Sequence, residues 1–232
     1  LQRKDHKKMS KVSLVGMTKP SNSTGCRTAE ELVAYAARVS NPENQNNTET
    51  AAGLLRYLMK NAHWSPFEMV HITLEIVTTR DISRQILRHR SFSFQEFSQR
   101  YAVSESFVPR DARLQDLKNR QNSVEIDRTS GEQRELAETW NMKQARVINE
   151  AKKAYEWALE NGIAKEQARA VLPEGNTETT LYMAGSLRSW IHYCELRCAN
   201  GTQLEHRKVA EQCWDVIAGH FPSIADLIAN NS

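Results

Sequence analysis

The chain has 232 residues, of which 40% are apolar and 25% charged, a composition that excludes a membrane protein, argues against a disordered chain and suits one large domain or two small ones. With 31 Lys and Arg against 28 Asp and Glu, the net charge is +3. That balance is too small for the broad basic field on which non-specific duplex binding rests, so any anion site is local.

In chain order, the polar start, opening on Leu1 rather than Met, is expected to be a disordered extension or expression scar over 1–10, and 11–232 a single domain. Residues 11–17 alternate as a short strand does. Thr28 with Glu31 forms a capping box for an amphipathic helix over 29–39, and 48–62 places Leu54, Leu55, Leu58 and Met59 on one face of a second. Ser65-Pro66 with Glu68 reads as a helical turn, followed by a half-buried strand over 70–79. Asp81 is expected to cap a helix to about His89 with Ile82, Ile86 and Leu87 inward. Residues 91–109 read as irregular or extended, and 110–128 as charged and mobile. Ser130 with Gln133 opens a long helix to Glu160, stopped by Asn161-Gly162; a shorter one spans 164–172. Thr177 is expected to open a helix to about Cys198, Thr202 with Glu205 another to His220, and Pro222 a last short one. The pattern is one helix-rich α+β domain.

No apolar run approaches the roughly 18 residues of a membrane span. Cys26, Cys194, Cys198 and Cys213 form no CxxC pair, and with no apolar leader ahead of them they suit reduced thiols in a cytoplasmic protein.

The window 80–113 holds Arg80, Arg84, Arg88, Arg90, Arg100, Arg110 and Arg113 and no lysine. A guanidinium is a planar fork of donors matched to phosphate and to pyrimidine carbonyls, whereas a solvated face mixes Lys with Arg. The competing reading is surface ion pairing with Asp81, Glu96, Glu105 and Asp111. On a helix, Arg88 and Arg90 would point about 200° apart and address two neighbouring ligands, with His89 between them. Phe92, Phe94, Phe97 and Tyr101, interleaved with polar residues, suit flat heteroaromatic ligands with polar edges.

Arg88-His89-Arg90, followed after seven residues by Ser98, resembles the RHRx7S signature of the flavin-dependent thymidylate synthases, and Ser98-Gln-Arg100-Tyr101 continues it. Ala36-Ala-Arg-Val-Ser40, His63-Trp-Ser-Pro-Phe-Glu68, Gln85-Ile-Leu-Arg88, Ala168-Arg-Ala-Val-Leu-Pro173 and Leu196-Arg197 are similar to the family's other blocks in the same order, from about Val12 to Pro222. Residues 110–134 carry no matching motif.

The resemblance implies a central, largely antiparallel sheet flanked by helices, assembled as a homotetramer with active sites at subunit interfaces. It implies conversion of dUMP to dTMP with methylenetetrahydrofolate as carbon donor, FAD as hydride carrier and NADPH as reductant. No GxGxxG follows a strand, in keeping with the absence of a Rossmann phosphate loop from that family. By matched positions, Arg197 is implied to polarise the uracil ring and favour its ionisation at N3. Gln85, Ile86, Leu87, Arg88, Glu96, Phe97, Ser98, Gln99, Arg100 and Arg169 are implied to contact dUMP as well, Ser98 holding the nucleotide rather than attacking it. Ser40, Ser65, Arg88, His89, Arg90, Glu96, Arg188 and His192 are implied FAD contacts from different subunits, and His63 a folate or nicotinamide contact or else a satisfied structural histidine. His192 and Ser186 stand where some members carry an amide such as Asn.

Two other classes compete. His192, Cys194, Cys198 and His206 offer zinc-type donors, at spacings that match no known structural site, and no metal is expected. Cys194 and Cys198, one turn apart beside Leu187 and Ile191, are better read as core packing. The arginine window with its aromatics suits single-stranded nucleic acid, against which the near-neutral charge counts; no nucleic-acid or membrane partner is expected.

Overall fold

The computed structural model describes residues 10–103 and 106–226. Residues 1–9 of the expected extension, and Glu105, lie outside them. Ser10 does not belong to an extension: it is buried, and its hydroxyl accepts from Gln212 Nε2 at 2.6 Å.

The alternating segments form strands as expected. β1 (Lys11–Met17) pairs antiparallel with β2 (His71–Thr79), its register shifting between Leu14 and Gly16. Between them lie α1 (Ala29–Ala37), capped by Thr28 through the Glu31 N–H, and α2 (Ala51–Lys60). Ser65–Met69 is a tight 3-10 turn with Trp64, not Ser65, at its cap position. Pro66 sits in its first turn, where the missing N–H costs nothing.

β2 runs without a loop into α3 (Arg80–Ile86), then β3 (Ser93–Glu96). α3 stops three residues short of His89, and Asp81 is not its cap; Thr79 is the flanking residue, its hydroxyl bonded to Asp81 at 2.6 Å. Leu87, expected inward, is half-buried. Residues 110–128 hold a two-stranded antiparallel pair, β4 (Arg113–Gln115) with β5 (Ser123–Glu125), in place of the mobile stretch expected. Ser130 caps α4 (Gly131–Glu160), and Gly162, at φ +75°, follows in the left-handed conformation that ends helices. α5 (Lys165–Ala168) leads into a 3-10 turn over Arg169–Val171.

The main correction concerns 177–198. Instead of one helix, the segment is β6 (Glu178–Ser186) followed directly by α6 (Leu187–Cys198), capped by Ser186 through the Ser189 N–H. α7 (Leu204–Ala218), flanked by Gln203 rather than capped by Thr202, and a turn at Pro222–Ile224 complete the fold.

The sheet order is β1-β2-β6-β3, every pair antiparallel. Ile72, Leu74 and Ile76 of β2 and Leu181 and Met183 of β6 point to one face, where they pack with Phe67, Trp190, Ile191 and Phe221 in the main core. Burying each such side chain contributes roughly 1.5–3 kcal/mol. The helices of this α+β fold cover that face; the other carries Thr73, Glu75, Thr180 and Tyr182, half-buried to exposed. A second, smaller core joins Tyr155 and Ala158 of α4 to Ala168 and Leu172. α4 has 30 residues, about 45 Å of helix, yet only Gln144, Tyr155 and Ala158 are buried. No described helix is long and apolar enough to cross a membrane.

Candidate active site

β2 and β6 lie antiparallel, His71 opposite Ser186 and Thr79 opposite Glu178, so α3 and α6 leave from opposite ends of the sheet. Trp190 Nε1 donates to the Ile72 carbonyl at 3.1 Å, tying the start of α6 to β2. From there the 12-residue α6 extends about 18 Å. Its last turn brings Arg197 to the residues after α3, where Arg197 Nε donates to His89 Nε2 at 2.9 Å.

Arg88-His89-Arg90 therefore lies in a turn, not on a helix, with the His89 N–H on the Ile86 carbonyl at 3.0 Å. The turn separates the triplet more sharply than a helix would: Arg88 and Arg90 are exposed while His89 goes inward, edge-on to the Tyr193 ring at 4.9 Å. The Arg88 N–H bonds the Gln85 carbonyl at 3.4 Å, but among the described residues neither the Arg88 nor the Arg90 guanidinium has a hydrogen-bond or ion-pair partner. Because Nε2 of His89 accepts from Arg197, its proton is on Nδ1. Burial, then the charges of Arg197 and Arg88, lower its pKa to about 4, so the ring is neutral at pH 7. Arg197 is thereby held by one nitrogen, its terminal nitrogens without a partner among the described residues.

Of the partners the ion-pairing alternative names, Asp81 and Glu96 hold arginines; Glu174, Glu166 and Glu125 pair with others, and no pair to Asp111 is found among the described residues. Arg80 and Arg84 share Glu96 (3.8 and 3.7 Å) and Glu174 (3.2 and 3.6 Å). Glu96 Oε1 also accepts from Ser83 at 2.9 Å and Thr179 at 3.0 Å, while Oε2 faces Arg84 alone among these groups. Arg110 grips both Asp81 oxygens, at 2.7 and 2.8 Å, and Thr79 at 2.6 Å. Arg113 is tied to Ser123 within its hairpin.

A second cluster lies further back on α6. Arg188 donates to Glu68 at 3.0 Å, and His192 meets the Trp64 ring at 4.5 Å and Glu195 at 3.3 Å. The Ser186 hydroxyl, and then Arg188, hold the Glu68 carboxyl below the usual range. Ser65, next to Trp64, is exposed.

The Ser98 segment forms a third group. Ser98 Oγ accepts the Arg100 N–H at 3.4 Å, Arg100 pairs with Glu166 at 3.4 Å, and Arg169 Nε donates to the Glu166 carbonyl at 3.3 Å. Phe97 is exposed, Gln99 and Ile86 are buried. Ser40 and His63 are exposed and, among the described residues, bond to none of these groups. His63 is not a satisfied buried histidine; among the described residues its ring meets the edge of Tyr57, at 6.3 Å.

Four residues escaped sequence reasoning as parts of this site: Tyr193, Gln203, Glu205 and His206. His206 entered only as a metal donor and Glu205 only as a capping residue. His206 instead bonds Tyr193 at 3.1 Å and Gln85 at 3.3 Å, and the Cys194 thiol donates to the Ala210 carbonyl. Burial pushes the Cys198 thiol up to about 11. Among the described residues no three His, Cys, Asp or Glu are grouped to hold a metal. Gln203 and Glu205 also line a cavity of about 810 Å³ with Asp81, Arg110, Trp140 and Asn176.

The chain matches the family described as Thymidylate synthase complementing protein over residues 23–223. It is 53% identical over 217 residues to a "Probable flavin-dependent thymidylate synthase" of Paramecium bursaria Chlorella virus 1, covering 91% of this chain and 95% of that protein. It is 50% identical over 198 residues to a flavin-dependent thymidylate synthase of Synechocystis sp., covering 84% and 87%. Among solved structures, the UMP/dUMP methylase PolB from Streptomyces cacaoi, bound with 5-Br dUMP, superposes with a TM-score of 0.78 at 28% identity over 95% of each chain. With the family matched from residue 23 to residue 223, this chain belongs to the thymidylate synthase complementing proteins.

Proposed function

We propose that this chain is a flavin-dependent thymidylate synthase, a cytoplasmic homotetramer that methylates dUMP to dTMP with methylenetetrahydrofolate as carbon donor, FAD as cofactor and NADPH as reductant. Membership of the family supports the reaction. The observation that carries it is the turn at Arg88-His89-Arg90, which exposes two guanidinium groups while a neutral His89 holds Arg197 by one nitrogen.

The donor set fits a flavin dinucleotide. Arg88 and Arg90 suit its phosphates, and Arg188 with His192 against the Trp64 indole suits a flat ring with polar edges. When bound, the flavin supplies the hydride chemistry, and the protein supplies orientation and charge. Arg197 forks onto adjacent acceptors of the uracil ring and favours the N3-ionised form, because a guanidinium stays protonated at any working pH. Its plane is fixed by His89, which as a neutral acceptor adds no competing charge. Ser98 and Arg100 hold the nucleotide. Among the described residues Ser98 has no base and carboxylate arranged beside it, and its hydroxyl accepts the Arg100 N–H.

The test is anaerobic reduction of the FAD-loaded protein by NADPH, followed through flavin absorbance with and without dUMP. Bleaching, then dTMP formation on addition of methylenetetrahydrofolate, is the expected result. A protein that binds no FAD, or bleaches without forming dTMP, refutes the proposal.

A further inference from the structure

Behind Gln85 runs an unbroken line of hydrogen bonds from Tyr193 through His206, Gln85 and Gln203 to Glu205, and its direction is set at one end. The Glu205 carboxylate, 3.7 Å from Arg110, only accepts, so the group of Gln203 facing it at 2.9 Å is the NH2. Gln203 Oε1 then accepts from Gln85 Nε2 at 2.7 Å, which turns Gln85 Oε1 toward His206. That oxygen only accepts, so His206 Nδ1, 3.3 Å away, carries the ring proton. Nε2 is bare and takes the Tyr193 hydroxyl at 3.1 Å. Reversing any one link would set donor against donor or acceptor against acceptor.

The network is shielded from water on the His206 side, where His206 is 0% and Tyr193 2% exposed. Burial, then the nearby Arg197 charge, lowers the His206 pKa to about 3, so the neutral tautomer is the one present. A carboxamide has two N–H groups and two lone pairs, and this line uses one of each on Gln85. The remaining pair faces a ligand in one order only. A flip of the amide would exchange donor for acceptor and mismatch a uracil edge, which itself alternates carbonyl and N–H.

We propose that His206 is a positioning residue for substrate recognition: its Nδ1–H, oriented by the Tyr193 hydroxyl, locks the Gln85 carboxamide in the orientation that recognises the pyrimidine. This rests on the reading that Gln85 contacts dUMP. The same tyrosine ring lies edge-on to His89, so one buried Tyr–His pair backs both Gln85 and the His89–Arg197 arm.

The experiment uses the FAD-loaded protein and measures dUMP binding by calorimetry together with the KM and kcat for dUMP. Gln85→Ala is expected to weaken dUMP; if it does not, the reading of Gln85 falls and takes the positioning role with it. His206→Phe, which keeps a ring but has no N–H, is expected to raise Kd and KM for dUMP about tenfold, a larger change than in kcat, with flavin content held. In the Gln85→Ala background it adds nothing further. If Gln85→Ala weakens dUMP while His206→Phe leaves it unchanged, or if His206→Phe acts equally in both backgrounds, the positioning role is refuted and the substrate contact stands. Should His206→Phe fold poorly, Tyr193→Phe and His206→Gln decide. The first should weaken dUMP severalfold and the second, which keeps an N–H, should bind better than a residue without one; no change in the first refutes the role.

Discussion

Two histidines, His89 and His206, are held neutral by burial and by Arg197. In the unfolded chain each has a pKa near 6.5, so between there and the folded values of about 4 and 3 the unfolded state binds more protons. Their contribution to stability is complete above pH 6.5 and is lost as pH falls toward those folded values. The slope is at most about 1.4 kcal/mol per pH unit for His206, and less for the half-exposed His89, where water screens the charges. Urea unfolding at fixed chain concentration should therefore show lower stability at pH 5 than at pH 7, and His206→Phe should flatten the difference; an unchanged slope counts against a buried neutral His206. Arg197→Ala should cut dTMP formation about 10²- to 10³-fold, the cost of one lost charge-stabilising donor, with flavin content retained. Because Arg197 also depresses His89, the same variant should raise the His89 pKa, though not to 6.5, since burial is the larger cause and remains. Proton NMR titration of the His89 ring reads that shift directly.

At the scale of elements, β6 connects the fold to the site, and its packing is tight. A Cβ on Gly185 would meet the Phe92 ring at 2.5 Å, and that ring is wedged against Trp190 at 4.8 Å. Gly185→Ala is expected to destabilise the protein by about 1–3 kcal/mol, the usual cost of overpacking, and adding Phe92→Leu should recover part of it; thermal unfolding of the single and double variants measures both. β6 was the element least legible in the sequence. Its inward residues Thr179, Leu181, Met183 and Gly185 keep the period of two, but Glu178, Leu181, Met183 and Ala184 are good helix formers and merge with the helix that follows. β2, rich in β-branched residues, and α1 and α4, with their capping residues, were readable because local preference and burial agree there. The three-residue β4 and β5 carry a single apolar pair, Leu114 opposite Val124, and are held chiefly by Arg113 on Ser123 and by Asp116 in the turn. The site divides in the same way. Arg88, His89, Arg90 and Ser98 were legible through a spaced motif, whereas Tyr193, His206 and Gln203 act through contacts 13 to 121 residues apart in the chain, which no local pattern reveals.

For the whole molecule, what stands out is surface left uncovered by a single chain. Along α4, Met142 is 66%, Val147 56% and Trp157 60% exposed, and one face of the sheet carries the half-buried to exposed Thr73, Glu75, Thr180 and Tyr182. In the proposed homotetramer these exposed apolar residues of α4 are the candidates for burial between subunits. Met142→Glu with Val147→Glu should shift the assembly toward smaller species in sedimentation and reduce dTMP formation with it; an intact assembly would move the interface elsewhere. Within one chain, α3 turns Arg80, Ser83 and Arg84 to Glu96 and Gln85 toward the start of α7, and among the described residues no hydrogen bond or ion pair joins Ser98 or Arg100 to His89 or Arg197. If the site is completed between subunits, a chain lacking Arg197 can still lend its Ser98 group, and a chain lacking Ser98 its Arg197. Mixing Arg197→Ala with Ser98→Ala chains and reassembling them should then restore up to about a quarter of the intact sites, the random share in which both contributing chains carry the needed residue. No recovery, with mixed oligomers demonstrated by mass spectrometry, would place each site within one chain and leave the exposed face of α4 without a part in catalysis.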